Sequence, residues 1–590
     1  MAQPSDAPAP RIVPEPPTPR APGEESRDVW GFADSGFQVN AEGDVEFRGA
    51  RYAISGKRIP SLLPWAEGIL GVRLDPSDRR ASGYPTALPP RIANEALERA
   101  LAERLPAENI SVDPGVRLRH GHGHTQEDMW AVKYGRLARV PDLVVWPESA
   151  DEVRLALDLA RAHGACLIPF GGGTNVTDAL RCPEGERRTI VSLDLRRMNR
   201  VLWIDPQNQT AEIQAGALGT EIEEQLRRHG FTLGHESDSI ELSTLGGWIA
   251  TYASGMKKNR YGNIEDLVLS ISAVTPDGTL ARPAAPRESV GADPARWLIG
   301  SEGRLGIVTS AVTKVFPLPE LRRFGSVLFR DFEAGFAFLR AVQRSGVVPA
   351  SVRLMDNLQF QFGQALRPER TGLAAWKGRL EKAFVTKLRG FEPERMVACT
   401  LLFEGSRAEV EAQERSVYRL AGRHGGMRAG GENGERGYQL TFAIAYIRDF
   451  MLEHWVLGES FETSVAWSEA QALCANVKQR LWQEHAKRGL PGRPFVSSRV
   501  TQLYDTGVCI YFYFAFHYKG VEHASEVYAE LERAARDEIL RSGGSLSHHH
   551  GVGKLRQPFL PQIFSPAALA WRSKLKAAID PENVLGCGNG

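Results

Sequence analysis

Residues 169–175 read Pro-Phe-Gly-Gly-Gly-Thr-Asn, and this run constrains the fold more than any other stretch of the chain. With no Cβ atoms at Gly171, Gly172 and Gly173, the backbone can turn its N–H groups toward an anion and let a phosphate approach closely. The run follows Cys166-Leu-Ile, a short apolar segment that reads as a buried strand. Thr174 and Asn175 add side-chain donors. No Lys-Ser or Lys-Thr pair follows, which excludes a nucleoside-triphosphate loop, and the G-x-G-x-x-G spacing is not met either. A glycine run alone is as easily a turn, so its neighbours decide what it means.

At 590 residues the chain can hold two or three domains, on a prior of about 100–200 residues each. A net charge of +1 gives no bulk electrostatic case for nucleic acid or an anionic surface. No apolar run approaches the roughly 20 residues that span a bilayer. Cysteines 166, 182, 399, 474, 509 and 587 are scattered without a C-x-x-C pair, so neither a zinc site nor a disulfide framework is indicated and a reducing compartment fits. The first 28 residues are rich in Pro, Ala and Glu and read as a disordered tail. They are too polar for a secretory signal, and the C-terminal Cys-Gly-Asn-Gly is not a peroxisomal Ser-Lys-Leu address.

Residues 29–138 form a mixed region with one helix near 95–104. Its His120-Gly-His-Gly-His124 reads as a loop beside a binding site and not as a metal centre, because alternating glycines leave the ring directions undefined. From 139 to 319 the pattern becomes regular. Pro141–Trp146 is a strand, and Ser149-x-x-Glu152 is a capping box opening a helix closed by Gly164. Strands follow at 189–193 and 210–215, a helix at 220–229, and a hairpin about Pro276-Asp-Gly278. This alternation is that of an α+β domain. Two further small-residue segments lie inside it, 238–263 and 299–307. Three such loops in one domain fit one extended, phosphate-containing cofactor.

From residue 320 to 560 the composition changes, which reads as a second domain. The very apolar strand 508–516 places Cys509, Tyr511, Tyr513 and Ala515 on one face and Ile510, Phe512, Phe514 and Phe516 on the other. On an extended Ser547-His-His-His550, His548 and His550 share a face and His549 points away, so the three do not share one task. No metal is assigned.

The order Gly-Gly-Gly-Thr, then Ser-Thr-x-Gly-Gly, then Gly-Ser-Glu-Gly-x-Leu-Gly resembles the two-subdomain FAD-binding domain of the vanillyl-alcohol-oxidase-like flavoproteins. The resemblance implies a pyrophosphate held by Pro169, Phe170, Gly171, Gly172, Gly173, Thr174 and Asn175. It implies ribose, adenine and flavin contacts from Asp238, Ser239, Ser243, Thr244, Thr251, Ser254, Glu302, Gly303, Leu305, Gly306 and Ile307. It further implies an α+β substrate (cap) domain over 320–560 and a segment 561–590 closing on the FAD-binding domain. No His or Cys in these loops suits a covalent link, so the FAD is expected to be non-covalent.

Five segments narrow the likeness. Residues 246–259, Ile-Ala-Tyr-Ile-Arg-Asp at 444–449, 458–464, the strand 509–516 and Ser-His-His-His-Gly-Val-Gly-Lys-Leu-Arg at 547–556 are similar to the alkyldihydroxyacetonephosphate synthase family. That resemblance implies ether-lipid synthesis: the acyl group of acyl-dihydroxyacetone phosphate is exchanged for a long-chain fatty alcohol, through an adduct at flavin N5 and with no net redox change. Tyr511 would be the proton donor and acceptor, with His548, His549 and His550 in the catalytic set and Arg448 on the substrate phosphate. A phenol with an ordinary pKa near 10 needs help from a neighbour, and the histidines are the expected helpers. The alternative on the same fold is an FAD-dependent 2-hydroxyacid dehydrogenase or oxidase. Tyr252 replaces an Arg, Arg304 a Thr and Asn175 a Ser of the family pattern, which puts FAD affinity in question more than the reaction. The expected location is cytoplasmic with peripheral membrane contact, or peroxisomal in a eukaryote. No nucleic acid is expected, and a homodimer is possible.

Overall fold

The computed structural model describes residues 11–21, 23–369, 372 and 384–589. The chain forms two compact units. One comprises Met1–Arg20, Pro85–Leu318 and His549–Gly590, the other Ala21–Tyr84 and Pro319–His548. Residues 29–138 are thereby divided between the units, and the chain passes from one to the other between His548 and His549.

The first unit holds two main sheets. In one, Leu143–Val145, Ile190–Asp194 and Cys166–Phe170 pair in parallel, with Ile110–Ser111 antiparallel at the far edge. Residues 143–145 and 190–194 are buried throughout, the near-continuous apolar pattern of strands covered on both faces. The glycine run leaves the carboxyl end of Cys166–Phe170. The second sheet is antiparallel, in the order Gly278–Leu280, Val268–Thr275, Ile307–Lys314, Thr210–Gln214, Val201–Asp205. The helix Ala150–Ala162 turns Val153, Ala156, Leu157 and Ala160 inward as the 3.6-residue period dictates. Its Ser149 caps Glu152 N–H, whereas the Glu152 carboxylate reaches Glu148 N–H and not the cap's own N–H, so the expected capping box is only half formed.

Chain ends close the open sheet edges. Leu167 pairs with Leu585, with Leu167 N–H donating to Val584 O at 2.7 Å and Gly586 N–H to Leu167 O at 3.1 Å. Ile12 exchanges two backbone hydrogen bonds with Ile204, of 2.8 and 2.7 Å. The expected disorder therefore does not hold for residues 11–20; residues 1–10 and 22 lie outside the described residues. Composition misleads here because this segment makes no core of its own. It borrows a finished sheet edge, which needs a partner strand more than it needs apolar side chains.

The second unit is built on a seven-stranded antiparallel sheet, ordered Met427–Arg428, Leu321–Phe329, Val397–Gly405, Ser351–Met355, Phe495–Leu503, Gly507–His517, Val456–Ala466. The last strand covers 458–464, and the apolar 444–449 segment lies inside a long helix, Gly431–Glu453. Phe37 and Phe47, from the small sheet Gly36–Val39, Val45–Arg48, Lys57–Arg58, pack with Tyr446 and Phe450 of that helix in one core. The helix is also pinned by hydrogen bonds. Trp30 N–H donates to Asp449 Oδ2 at 2.8 Å and Phe32 N–H to Tyr446 Oη at 2.9 Å. Arg448 sits between these two anchors.

Candidate active site

In the first unit the small-residue loops meet. A Cβ on Gly171 would lie 2.3 Å from Thr244 Oγ1, one on Gly172 1.6 Å from Leu242 O, and one on Gly173 2.5 Å from Arg119 Nη1. The glycine run is thus clamped between the 242–244 segment and Arg119, which also donates to Gly172 O at 3.1 Å. Gly173 has φ +69°, a conformation open to glycine. Among the described residues the N–H groups of Gly171, Gly172, Gly173 and Thr174 find no acceptor in the protein. Four successive donors left open on a tight loop form an anion nest. Gly303, at φ +76°, packs on the Pro169 ring, which brings the third loop to the first.

Several expected contacts have their side chains committed to the loops themselves. Asn175 Oδ1 accepts from Thr177 and Ala179 N–H, at 3.1 and 2.8 Å, and so shapes the turn. Ser243 Oγ accepts from Trp248 Nε1 at 2.8 Å and donates to Ser239 O at 2.9 Å. Thr244 caps the helix Leu245–Thr251, where the Thr251 hydroxyl returns to Gly247 O at 2.9 Å. Ser254 Oγ bonds Asn263 Oδ1. Glu302, at φ +50°, accepts from Val552 N–H at 2.8 Å and from Gly553 N–H at 3.0 and 2.9 Å. It ties the segment after the three histidines to the third loop, and burial pushes its carboxyl pKa up. Leu305 and Ile307 are buried, and Gly306 packs on Thr275 and Leu298. Asp238 is exposed and Thr174 half-buried.

His120, His122 and His124 serve this scaffold. His120 Nε2 bonds Asp194 Oδ2 at 2.9 Å and its ring lies 4.3 Å from that of Phe170. Asp194 stays well below the usual carboxylate range: burial pushes it up, but Arg196 and His120 more than offset that. His122 Nδ1 contacts Gly123 O, and His124 N–H donates to Asn175 O at 2.6 Å.

His235, which the sequence reading did not single out, is fully buried and packs on Trp248 with ring centroids 4.6 Å apart. Among the described residues neither of its ring nitrogens has a hydrogen-bond partner. Burial, with His549 and Lys257 nearby, lowers its pKa to about 3. An unsatisfied imidazole of this kind points to a ligand or to water. The open N–H nest separately fits a phosphate-bearing ligand.

In the second unit, the strand Gly507–His517 sets Tyr511 between Glu462 on one neighbour and Arg499 on the other. Tyr511 is buried, and the Arg499 guanidinium lies 4.7 Å from its ring centroid. The Tyr511 hydroxyl meets Ser460 Oγ at 3.1 Å. Ser460 in turn donates to Glu459 Oε1 through N–H at 2.8 Å and Oγ at 3.3 Å. Arg448 Nη1 reaches Glu459 Oε2 at 2.7 Å. Tyr511, Ser460, Glu459 and Arg448 therefore form one hydrogen-bonded chain. His548 is held elsewhere: Nε2 bonds the Tyr504 hydroxyl at 2.6 Å, and Glu462 accepts from His548 N–H at 2.7 Å and Ser547 Oγ at 2.9 Å.

The expected extended geometry of 548–550 does not occur. The chain bends there, and the His549 and His550 rings touch at 4.6 Å. Gly551, at φ +88°, and Gly553, at φ +49°, turn the backbone where a strand would have continued. Arg499 and Ser460 stand beside Tyr511, and His548 bonds Tyr504.

A sequence profile described as FAD binding domain matches residues 141–283, and one for the C-terminal domain of FAD linked oxidases matches residues 318–589. The alkyldihydroxyacetonephosphate synthase of Caenorhabditis elegans is 44% identical over 562 residues, covering 95% of this chain and 94% of that protein. The chain belongs to the alkyldihydroxyacetonephosphate synthase family. The Dictyostelium discoideum synthase is 34% identical over 84% of this chain and 80% of its own. A solved alkyldihydroxyacetonephosphate synthase superposes with a TM-score of 0.82 at 30% identity, over 95% of this chain and 98% of that one. The cofactor of this family member is FAD, and the synthase reading prevails over the 2-hydroxyacid oxidase alternative.

Sequence reasoning missed Arg499, Ser460, Glu462, Tyr504 and His235. Strand alternation could have placed Glu462 and Arg499 on strands, but only the pairing register sets them beside Tyr511.

The buried histidines make stability depend on pH. Burial lowers His235 to about 3 and, helped by Arg119, His122 to about 4, from an ordinary 6.5. Between those values and 6.5 the unfolded chain binds more protons than the folded one, so stability rises with pH through that window. The melting temperature is expected to be full above neutrality and to fall as pH drops from 6.5 toward 4, with a shallower fall in His235→Gln. Parallel profiles for the two proteins would contradict the assignment.

Proposed function

We propose that this protein exchanges the acyl group of acyl-dihydroxyacetone phosphate for a long-chain fatty alcohol, releasing the fatty acid. FAD, when bound, supplies an electron-poor centre able to hold the three-carbon unit during the exchange with no net redox change. The observation that carries the reading is the hydrogen-bonded chain from Tyr511 through Ser460 and Glu459 to Arg448. It links a proton-transfer group on the strand Gly507–His517 to a phosphate-binding group on the helix Gly431–Glu453. Tyr511 takes up and returns the C1 proton, with Ser460 as its hydrogen-bond partner. Arg499 over the ring is a permanent cation where negative charge develops on the phenol oxygen. Tyr504 and Glu462 fix the orientation of His548. The loops around Gly171, Gly172, Gly173 and Thr174 hold the pyrophosphate of a dissociable FAD through backbone N–H groups.

Palmitoyl-dihydroxyacetone phosphate and hexadecanol should give alkyl-dihydroxyacetone phosphate and palmitate. Turnover on lactate or glycolate with flavin bleaching, and none on these lipids, would replace the reading by a dehydrogenase.

Arg448 offers a planar fork suited to two phosphate oxygens. Arg448→Lys is expected to raise KM for the phosphate substrate about tenfold or more, corresponding to the loss of one charge-assisted hydrogen bond of about 1.5–3 kcal/mol. An unchanged KM would place the phosphate elsewhere.

Two long-chain substrates imply contact with a lipid surface. No described helix is long and apolar enough to cross a membrane, so the contact proposed is peripheral. Flotation with liposomes carrying hexadecanol should bring the protein up; its absence with and without substrate would remove this part. A homodimer in the cytoplasm, or in the peroxisome of a eukaryote, completes the proposal, and sedimentation would test the dimer.

A further inference from the structure

The six cysteines look unrelated in sequence, yet the fold joins two of them. Cys166 opens the strand that leads into the glycine run, and Cys587 lies in the C-terminal segment laid along that strand. Both are free and buried. Their sulfurs and a Glu186 carboxylate oxygen lie within 4.8 Å of one another, and Cys166 Sγ donates to Thr189 O at 3.7 Å. Cys587 Sγ also donates to Glu186 Oε2 at 3.1 Å.

We propose that Cys166 and Cys587 are an oxidisable thiol pair whose disulfide fastens the C-terminal segment to the strand feeding the phosphate loop.

One observation favours this over a metal site built from the same atoms. Arg188 forks the Glu186 carboxylate, with Nη2 on Oε2 at 2.8 Å and Nε on Oε1 at 3.0 Å, so a permanent cation already occupies that side. The two thiols are unequal. Contact with the Cys166 thiol lowers the pKa of Cys587, while contact with Cys587 and burial push Cys166 far up. Cys587 Sγ already donates to the Glu186 carboxylate, a base placed to take its proton, so Cys587 is assigned as the attacking sulfur.

With a hydroperoxide as oxidant the atoms balance. The Cys587 thiolate attacks a peroxide oxygen, giving a sulfenic acid and, with one proton, water from hydrogen peroxide. The Cys166 sulfur then attacks the sulfenic sulfur. Its proton leaves with the departing hydroxyl as a second water, and two thiols have reduced one peroxide. The consequence reaches the flavin loops. Asn589 donates to Glu302 O at 3.2 Å and accepts from Lys554 at 2.7 Å, and Lys576 donates to Leu585 O at 2.9 Å. A covalently held tail keeps these braces in place.

The test uses the full-length holoenzyme treated with hydrogen peroxide, denatured, alkylated and mapped by mass spectrometry, with carboxypeptidase trimming of the tail as a second readout. The expected result is loss of two hydrogens, a cross-linked peptide pair containing Cys166 and Cys587, and a trimming rate slowed and then restored by dithiothreitol. Cys587→Ser should lose both effects, and Cys182→Ser, altering a cysteine of the same core cluster, should keep them. Both thiols alkylated after oxidation, a Cys166–Cys182 link instead, or zinc co-purifying with the wild type but not with Cys587→Ser would each overturn the proposal. None of these readouts depends on turnover, so their failure is separate from failure of the synthase reading.

Discussion

Tyr511→Phe is expected to keep its FAD and lose turnover by about 100- to 10,000-fold, the range general acid–base groups contribute. The substitution removes one oxygen, which meets Ser460 Oγ at 3.1 Å. The ring keeps its place on the strand and its contact with Arg499. One part-buried hydrogen bond is worth about 1 kcal/mol, so the melting temperature should move little. This combination separates a chemical role from a packing one. Rates like the wild type's would take Tyr511 out of the mechanism, and a large drop in melting temperature would mean that the strand depends on the hydroxyl. Ser460→Ala should follow in the same direction with a smaller loss, since it removes the partner and leaves the phenol.

Gly172→Ala carries the largest expected effect on the cofactor. Its Cβ would sit 1.6 Å from Leu242 O, and that atom is backbone. No rotamer change relieves the clash; the first and second loops must move apart. Gly171→Ala meets a threonine hydroxyl that can rotate, and Gly173→Ala meets the far end of Arg119 while taking on a left-handed backbone cost of roughly 1–2 kcal/mol. The expected order of damage is therefore 172, then 173, then 171. Gly172→Ala should purify without flavin colour and melt several degrees lower, a steric loss of about 1–3 kcal/mol. A yellow Gly172→Ala protein with the wild-type melting temperature would mean that the glycine run does not make the close approach described.

Much of the first unit was legible because its signals are local. The apolar runs at 143–145 and 166–170, the cap at Ser149, the glycine stop at 230 and the Pro-Asp-Gly hairpin each specify their own geometry within a few residues. The first and third small-residue segments are loops as expected, whereas the second, 238–263, carries the helices Leu245–Thr251 and Lys258–Tyr261, and which side chains these segments use up was not legible. Asn175, Ser243 and Thr244 look like ligand donors in sequence and bond within their own turns and cap, while Glu302 holds the 552–553 backbone, because a tight backbone cradle must satisfy its own polar groups. The neighbours of Tyr511 were hidden for another reason. Arg499 and Glu462 reach it through strand register, set by pairings across the whole sheet. The same holds for Cys166 and Cys587, which only the returning C-terminal segment brings together. The histidine triplet misled because alternation assumes an extended chain, and the backbone is bent at 548–550.

The central claim is that bound flavin holds carbon during the exchange and stores no electrons at its end. It is tested most directly by the visible spectrum of the purified protein, recorded without oxygen before and after acyl-dihydroxyacetone phosphate and again after a fatty alcohol. The account predicts an oxidised-flavin band that bleaches with the first lipid and returns with the second, with alkyl-dihydroxyacetone phosphate formed in step. A band unmoved by the lipid while product still forms, or bleached by it and restored only by oxygen, would contradict the account.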